Sequence, residues 1–282
     1  MQEFNTQKSL KSHLSSSELK TRTIGFVPTM GALHQGHMAL VKRSVEENEV
    51  TVVSIFVNPT QFNNKNDLEK YPRDLAKDKE LLSGISNSIL LFTPSVKEIY
   101  ADDVASKFYN FDGMDQVMEG KYRKDHFAGV ATIVEKLLTL VMPTKAYFGE
   151  KDFQQLQIIK KLVHTKKIPV QIVGCPIVRE PNGLAMSSRN QRLSKSTRKE
   201  AGFIYQILLG ANEQFGTKNA ISIAEWATAQ FKNRLEFELE YFEIAESDTL
   251  KKLIDRQKNI KYRAFVAVYA DGVRLIDNIA LN

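Results

Sequence analysis

The stretch VTVVSIFVNP, Thr51 to Pro59, constrains the fold of this chain more than any other. It is dense in β-branched residues and apolar at successive positions, so a strand made from it has no solvent face. A strand buried on both sides belongs in a parallel sheet covered by helices. Similar short runs recur at TIGFVP (from Thr23), SILLFTP (Ser88 to Pro94), KAYFGE (Lys145 to Glu150) and PVQIVGCP (Pro169 to Pro176). Helical patterns lie between them, the first from about His37 to Glu47. RDLAKDKELLSG stops at Gly84 and HFAGVATIVEKLLTLVMP at Pro143, while DFQQLQIIKKLVHTKK opens on Asp152, a residue suited to cap it. Strand and helix in alternation predict an α/β fold: a Rossmann-like parallel sheet with helices on both faces.

From about Arg179 the pattern changes. A turn rich in glycine, serine and arginine, EPNGLAMSSRNQRLS, leads into two helical stretches, about Lys195 to Phe215 and Ile221 to Leu235. Three strand-like runs follow, LEYFEIAES, RAFVAVYA and VRLIDNIAL, and ADG at Ala270 to Gly272 reads as a hairpin turn. The expected organisation is a larger domain over residues 1–176 and a smaller C-terminal α+β domain over 177–282. With 43% hydrophobic residues the chain can bury a core in each.

Composition excludes several classes of function. Cys175 is the one cysteine, which rules out a disulfide framework and a cysteine-built zinc site and fits a cytoplasmic location. The N-terminal MQEFNTQKSLKSHLSSSELK is polar, so no signal peptide is expected, and VTVVSIFV is far too short to cross a membrane. The net charge of +6 suits either nucleic acid or small anions. Lysine and arginine are spread along the chain, and the densest stretch, Lys160 to Lys167, reads as the solvated end of a helix. No basic stripe with aromatic stacking positions can be traced, so no nucleic-acid partner is expected.

Four constellations carry chemistry. PTMGALHQGH, Pro28 to His37, joins the first strand to its helix, where free N–H groups and the positive end of the helix dipole suit a phosphate. Gly31 and Gly36 allow close backbone approach, and His34 and His37 stand three apart. The spacing alone leaves open a phosphate site, a metal pair or a capped helix. GEKDFQQ, Gly149 to Gln155, lies at another strand-to-helix junction. Lys151 there is either a point charge for phosphate or a solvent-facing charge, and Asp152 either takes a ribose hydroxyl or caps the helix; taken alone, the segment reads as a plain cap with solvent-facing charge. MSSRNQRLS, Met186 to Ser194, gathers hydroxyls and arginines in a segment read as flexible, fit to close over a triphosphate or simply an exposed basic loop. SIFVNPTQF, Ser54 to Phe62, sets the amides of Asn58 and Gln61 at an otherwise apolar strand end, either to read hydroxyl and carboxylate groups or to make a turn.

The first and third elements, in this order, resemble the HIGH and KMSKS signatures of the class I synthetase and nucleotidylyltransferase superfamily. Together with FVNPTQF, YPRD, HFAGVATIVEKL, FGEKDFQQL, YFEIAESDTL and the final VRLIDN, the chain resembles the pantothenate synthetase (pantoate–β-alanine ligase) family over nearly its whole length. A related nucleotidylyltransferase is the alternative. It shares the H-x-G-H element but leaves FVNPTQF and GEKDFQQL unexplained.

The resemblance implies an ATP-dependent ligase of pantothenate biosynthesis that joins (R)-pantoate to β-alanine through a pantoyl-adenylate, releasing AMP and pyrophosphate. It further implies Mg²⁺ and a cytoplasmic homodimer. The larger domain would bind nucleotide and pantoate, and the smaller one would carry the MSSR phosphate-binding loop. By matching motifs, ATP contacts are implied at Met30, Gly31, Ala32, Leu33, His34, Gln35, Gly36 and His37. Others are implied at Gly149, Glu150, Lys151 and Asp152, at the Val178 backbone for adenine, and at Met186, Ser187, Ser188 and Arg189. Gln61 and Gln155 match pantoate contacts, with Gln61 also near β-alanine. Asn58 falls near the substrate and Arg123 near the phosphates. His34, His37, Lys151 and Arg189 are implied in catalysis. Charge stabilisation at phosphorus ranks ahead of proton transfer there, because the attacking carboxylate carries no proton. The chain departs from many relatives at Ala128, where they carry a charge in the H-F-x-G segment. No charge is assigned there, and His126 is read as a structural residue at a helix start.

Overall fold

In the computed structural model the described residues are Met1–Leu281, without the side chain of Lys65. Six strands form one parallel sheet: β1 (Gln2–Phe4), β2 (Ile24–Thr29), β3 (Val50–Ile55), β4 (Leu90–Phe92), β5 (Lys145–Gly149) and β6 (Gln171–Cys175). Their spatial order is β1-β4-β3-β2-β5-β6. Helix α1 (Gln7–Leu14) follows β1, and α2 (Gln35–Glu47) joins β2 to β3. Next come α3 (Lys65–Glu69) and α4 (Leu75–Ser83), then α5 (Val96–Tyr100), α6 (Met118–Tyr122) and α7 (His126–Val141), and α8 (Phe153–Lys166) joins β5 to β6.

The sheet is covered as the strand pattern predicts. Val27, Val53, Leu91, Tyr147 and Val173 share one core cluster with Met38 and Val41 of α2 and Leu82 of α4. Their strand neighbours Phe26, Val52 and Ala146 point to the opposite face, since strand side chains alternate, and these too are fully buried. Helix α7 packs against β2 and against the turn that follows β3.

Local differences from the sequence reading have local causes. The polar N-terminus forms β1, paired in parallel with β4, and then α1, whose start is capped by the Thr6 side chain. Strand β3 ends at Ile55, opposite Thr29 at the end of β2, and Pro59, which lacks an N–H, then opens a short 3-10 turn over Pro59–Gln61. Helix α2 begins earlier than expected because His34 serves as its cap. Asp152 sits inside a 3-10 turn, Glu150–Asp152, that runs on into α8, rather than standing ahead of the helix as a cap.

The remaining strands, β7 (Glu238–Glu246), β8 (Tyr262–Ala270) and β9 (Val273–Ala280), form a separate antiparallel sheet in that order. Helices α9 (Lys195–Glu200), α10 (Phe203–Gln214) and α11 (Ala220–Lys232) belong with them. Their own core includes Ile204, Leu208, Ile223, Phe231, Tyr262 and Val266. The two-residue turn between β8 and β9 has φ of 50° at Asp271 and 68° at Gly272, the left-handed pair that ADG predicted. The single helix expected from Lys195 to Phe215 is instead broken at Ala201 and Gly202. Asn182 Nδ2 donates to the carbonyls of Arg198 (2.8 Å) and Lys199 (3.0 Å), ending α9 there. A Cβ on Gly202 would lie 2.0 Å from the Asn182 carbonyl oxygen, so only glycine allows this approach.

The chain divides into two compact units. The first comprises Met1–Asp115, Glu119–Glu150 and Gln155–Pro176, and the second Gln116–Met118, Lys151–Gln154 and the chain from Ile177 on.

Helix α2 packs closely against β2. A Cβ at Gly25 would meet Ser44 Oγ at 2.2 Å and Asn48 Nδ2 at 2.6 Å. Both groups are engaged, Ser44 with Thr51 Oγ1 (2.9 Å) and Asn48 with the Tyr147 hydroxyl (2.7 Å). Gly25→Ala should therefore destabilise the protein by about 1–3 kcal/mol through overpacking. The measurement is the urea midpoint, expected to fall with the slope unchanged. An unchanged midpoint would mean that α2 can move away from β2 without loss.

Candidate active site

Strand order fixes where a ligand site can form in the first unit. From β2 the chain crosses to β3 on one side, and from β5 it crosses to β6 on the other. The two strands are neighbours, with Gly25 opposite Lys145 and Phe26 opposite Ala146. A parallel sheet opens a crevice outside the carboxyl ends of strands where such a reversal occurs. Met30 to His37 leave the end of β2, and Gly149 and Glu150 leave the end of β5. No atom lies within 4 Å of a Cβ position at Gly149, so its main chain is open to approach.

The loop after β2 is held in an unusual conformation. Gly31 and Ala32 both have positive φ, 78° and 51°. The buried carboxylate of Asp78, on α4, accepts the Ala32 N–H at 3.0 Å and the Leu33 N–H at 2.7 Å. Burial pushes the Asp78 carboxyl above its ordinary range, more than these two hydrogen bonds pull it back. His34 then caps α2: its Nδ1 accepts the Gly36 N–H at 3.1 Å. A ring whose Nδ1 is an acceptor carries its proton on Nε2. The ring of His37 lies 4.1 Å from that of His34, so the pair forms one feature at the helix start. Met30, Ala32, Gly36 and His37 are half-buried, Gly31 and Leu33 are buried, and Gln35 is exposed.

Asn58 and Gln61 sit at the end of β3. Asn58 is 1% exposed and its amide is saturated within the protein. Oδ1 accepts from Tyr100 (2.6 Å) and Thr60 (3.0 Å), and Nδ2 donates to Gln61 Oε1 (3.0 Å) and the Gly129 carbonyl (3.1 Å). Burial pushes the Tyr100 phenol up, which keeps it a donor at neutral pH. Asn58 therefore orients Gln61, whose Nε2 points to Met30 Sδ at 2.9 Å. His126 is buried at the first position of α7 with Nδ1 2.8 Å from the Gln61 carbonyl. A Cβ at Gly129 would fall 2.3 Å from the Thr60 carbonyl, so glycine in H-F-x-G lets α7 lie against this turn. Gln155 is half-buried on α8, and Arg123 pairs with Glu119 at 3.7 Å.

The second unit holds the other expected residues. Lys151 Nζ lies 3.4 Å from the Asp152 carboxylate, and the Lys151 carbonyl accepts from Asn278 Nδ2 at 2.9 Å. Arg179 and Ala185 form a bridge, and the Met186 N–H donates to the Val178 carbonyl at 2.9 Å, so Val178 and Met186 share one narrow hairpin. Ser187 caps a 3-10 turn, Ser188–Arg192, through the Arg189 N–H. The expected loop is thus a defined turn. Ser188 and Asn190 are buried, and Asn190 ties the turn to Glu180 (2.8 Å) and to the Ala185 carbonyl (3.0 Å).

Asp78 and Tyr100 escaped the sequence reading. Asp78 lies in the charged run AKDKE, which looks solvated. Its one signal is spacing: it stands four residues before the fully buried Leu82, on the same helix face. Tyr100 gives no signal that separates it from any core aromatic.

A parallel sheet whose order reverses at β2 and β5, with a histidine-capped helix start at that reversal, defines a Rossmann-like α/β protein built to receive a ligand there. The profile of the family described as pantoate-beta-alanine ligase matches residues 2–280. The pantothenate synthetase of Christiangramia forsetii is 53% identical over 282 residues, covering 100% of both chains. That of Flavobacterium psychrophilum is 53% identical over 278 residues, covering 99% of each. Among solved structures, pantothenate synthetase from Thermus thermophilus superposes with a TM-score of 0.91 at 40% identity, covering 100% of this chain and 99% of that one. The Francisella tularensis pantoate-beta-alanine ligase, complexed with beta-gamma ATP and beta-alanine, gives a TM-score of 0.82 at 38% identity, covering 99% and 97%. The chain belongs to the pantoate–β-alanine ligase family, and it is an enzyme of that class.

The buried carboxylate under the histidine loop yields a pH prediction. The folded-state pKa of Asp78 is raised, so burying the ionised form opposes folding at neutral pH. That opposition fades as pH falls through the folded value toward the unfolded one. Asp78→Asn lacks this titration. The wild type should therefore gain stability relative to the variant between about pH 7 and about pH 4, read from urea denaturation at each pH. A difference that stays constant across that range would contradict a raised pKa at Asp78.

Proposed function

We propose that this ligase works in two steps, with ATP as the activating substrate and pantoyl-adenylate as the intermediate. The observation that carries this reading is the capped start of α2, with its two histidines, at the point where strand order reverses. First, a pantoate carboxylate oxygen attacks the α-phosphorus of ATP, the bond to the β-phosphate oxygen breaks, and pyrophosphate leaves. Second, the β-alanine nitrogen attacks the acyl carbon, the acyl–phosphate C–O bond breaks, AMP leaves, and the nitrogen releases a proton. The complex of the Francisella tularensis relative with beta-gamma ATP and beta-alanine supports the choice of substrates.

In this reading His34 donates to phosphate oxygens from Nε2, its Nδ1 being committed to the Gly36 N–H. His37, Lys151 and Arg189 add donors and positive charge around the phosphorus undergoing attack. Met30 to Gly36 and Gly149 to Asp152 border the nucleotide, Val178 meets adenine through its backbone, and Met186 to Ser188 approach the triphosphate. Gln61 and Gln155 hold pantoate, and Asn58 acts through Gln61 because its own amide is saturated. The segment to residue 176 would then serve nucleotide and pantoate, and the segment from 177 the phosphates. Mg²⁺ enters with the ATP phosphates. Among the described residues no group of three or more His, Cys, Asp or Glu is placed to hold a metal. The same reading has the enzyme act in the cytoplasm as a homodimer. No described helix is long and apolar enough to cross a membrane.

An adenylate route requires pyrophosphate to form before β-alanine arrives. Isotope exchange between pyrophosphate and ATP should therefore need pantoate and not β-alanine. Exchange that depended on β-alanine would rule the adenylate out. Alanine at His34, His37 or Lys151 should slow this exchange by about 100- to 1,000-fold, the usual loss for one such donor.

The amide wall gives a second expectation. Gln61→Ala should raise the Michaelis constant for pantoate while ATP affinity by calorimetry stays nearly constant. Loss of ATP binding with pantoate use intact would move Gln61 to the nucleotide.

A further inference from the structure

The VRLIDN sequence near the C-terminus takes no part in the chemistry described so far, yet two of its polar side chains are almost wholly buried. Asp277 is 4% exposed and Asn278 is 2% exposed, on adjacent positions of β9. Adjacent strand residues point to opposite faces, so the two reach different parts of the second unit. Asp277 takes both arms of the Arg179 guanidinium, at 2.6 and 3.0 Å. Arg179 also donates to the Gly183 carbonyl at 3.0 Å and stacks 3.5 Å over the Tyr205 ring. This fixes the hairpin that delivers Met186 to Arg189. Asn278 donates from Nδ2 to the Lys151 carbonyl at 2.9 Å, while its Oδ1 accepts from Arg263. Arg263 in turn lies 3.9 Å over the ring of Phe153, two residues beyond Lys151.

We infer that Asp277 and Asn278 are positioning residues, which hold the Lys151 segment and the Arg179–Ala185 hairpin to one strand so that both meet the phosphates of ATP in register. The inference rests on the assignment of Lys151 and Met186–Arg189 to the ATP half-reaction. Stability alone does not account for the pair. A buried ion pair often stabilises a fold no better than well-packed apolar residues of the same volume, while the two bonds from Arg179 to Asp277 constrain where the guanidinium sits. Two neighbouring side chains, each bonded to a different candidate phosphate segment, supply a common reference for both.

The test uses the full-length enzyme. Asn278→Asp keeps an oxygen for Arg263 and removes the N–H that the Lys151 carbonyl needs. Amide hydrogen exchange across residues 151–154 should speed up. Pantoate-dependent pyrophosphate–ATP exchange should fall about 10-fold or more, while amide formation from supplied pantoyl-adenylate changes by less than about 2-fold, because misplacement penalises the step it misaligns. Asp277→Asn reads the other arm through hydrogen exchange across residues 179–189 and the same two half-reactions, and decides the matter if Asn278→Asp does not fold. A folded variant in which neither quantity moves, or in which both half-reactions fall alike, would overturn the inference. Lys151→Ala runs alongside. If that variant exchanges pyrophosphate normally, the fault lies in the assignment of Lys151 itself, and positioning falls with it.

Discussion

In a parallel sheet every strand delivers the chain to the same edge. That constraint organises the first unit: β2, β3 and β5 end at Thr29, Ile55 and Gly149, and the histidine loop, the amide turn and the glycine approach follow directly from those ends. The hydrophobic effect buries the strands on both faces, and burial removes any choice about where polar chemistry can sit. It is confined to one rim. The order reverses between β2 and β5 at that rim, where a parallel sheet opens a crevice, and the open main chain of Gly149 lies at the end of β5.

Rim loops carry strain that the core must sustain. Two consecutive positive-φ residues, Gly31 and Ala32, would not persist in an unsupported loop. Asp78 supports them by accepting two adjacent N–H groups from below, and burial raises its own pKa in doing so. A second device works by saturation rather than charge. Tyr100 and Thr60 fill the oxygen of Asn58, and Gln61 and Gly129 fill its nitrogen, so loss of the Gln61 side chain would leave a buried N–H unmet.

The strand framework was legible because its signal is local. A run such as VTVVSIFV declares its burial in a few residues, and ADG declares its turn in two. The candidate site was legible where glycine, histidine and serine stand in fixed spacing, at Met30 to His37 and Met186 to Arg189. What stayed hidden depends on contacts distant in sequence. Asp78 meets the histidine loop 45 and 46 residues away, and nothing in AKDKE distinguishes it from its solvated neighbours. The break at Gly202 depends on Asn182, and the edge strand Gln2–Phe4 depends on pairing with β4 rather than on any propensity of its own. The spacing of His34 and His37 left a capped helix open beside a phosphate site and a metal pair, and that His34 itself is the cap of α2 depends on the geometry of Gly36.

The saturated amide of Asn58 has a directional consequence. A primary amide is nearly symmetric in shape, so it discriminates only if its two ends cannot swap. Here they cannot, and the sense passes to Gln61, whose oxygen is turned toward Asn58 and whose nitrogen is turned toward Met30. The wall at the end of β3 thus has a head and a tail. Two points define a direction along the wall; telling mirror images apart would take a third contact outside that line. That direction is set by a tyrosine and a threonine behind the wall, which hold Asn58 and through it Gln61.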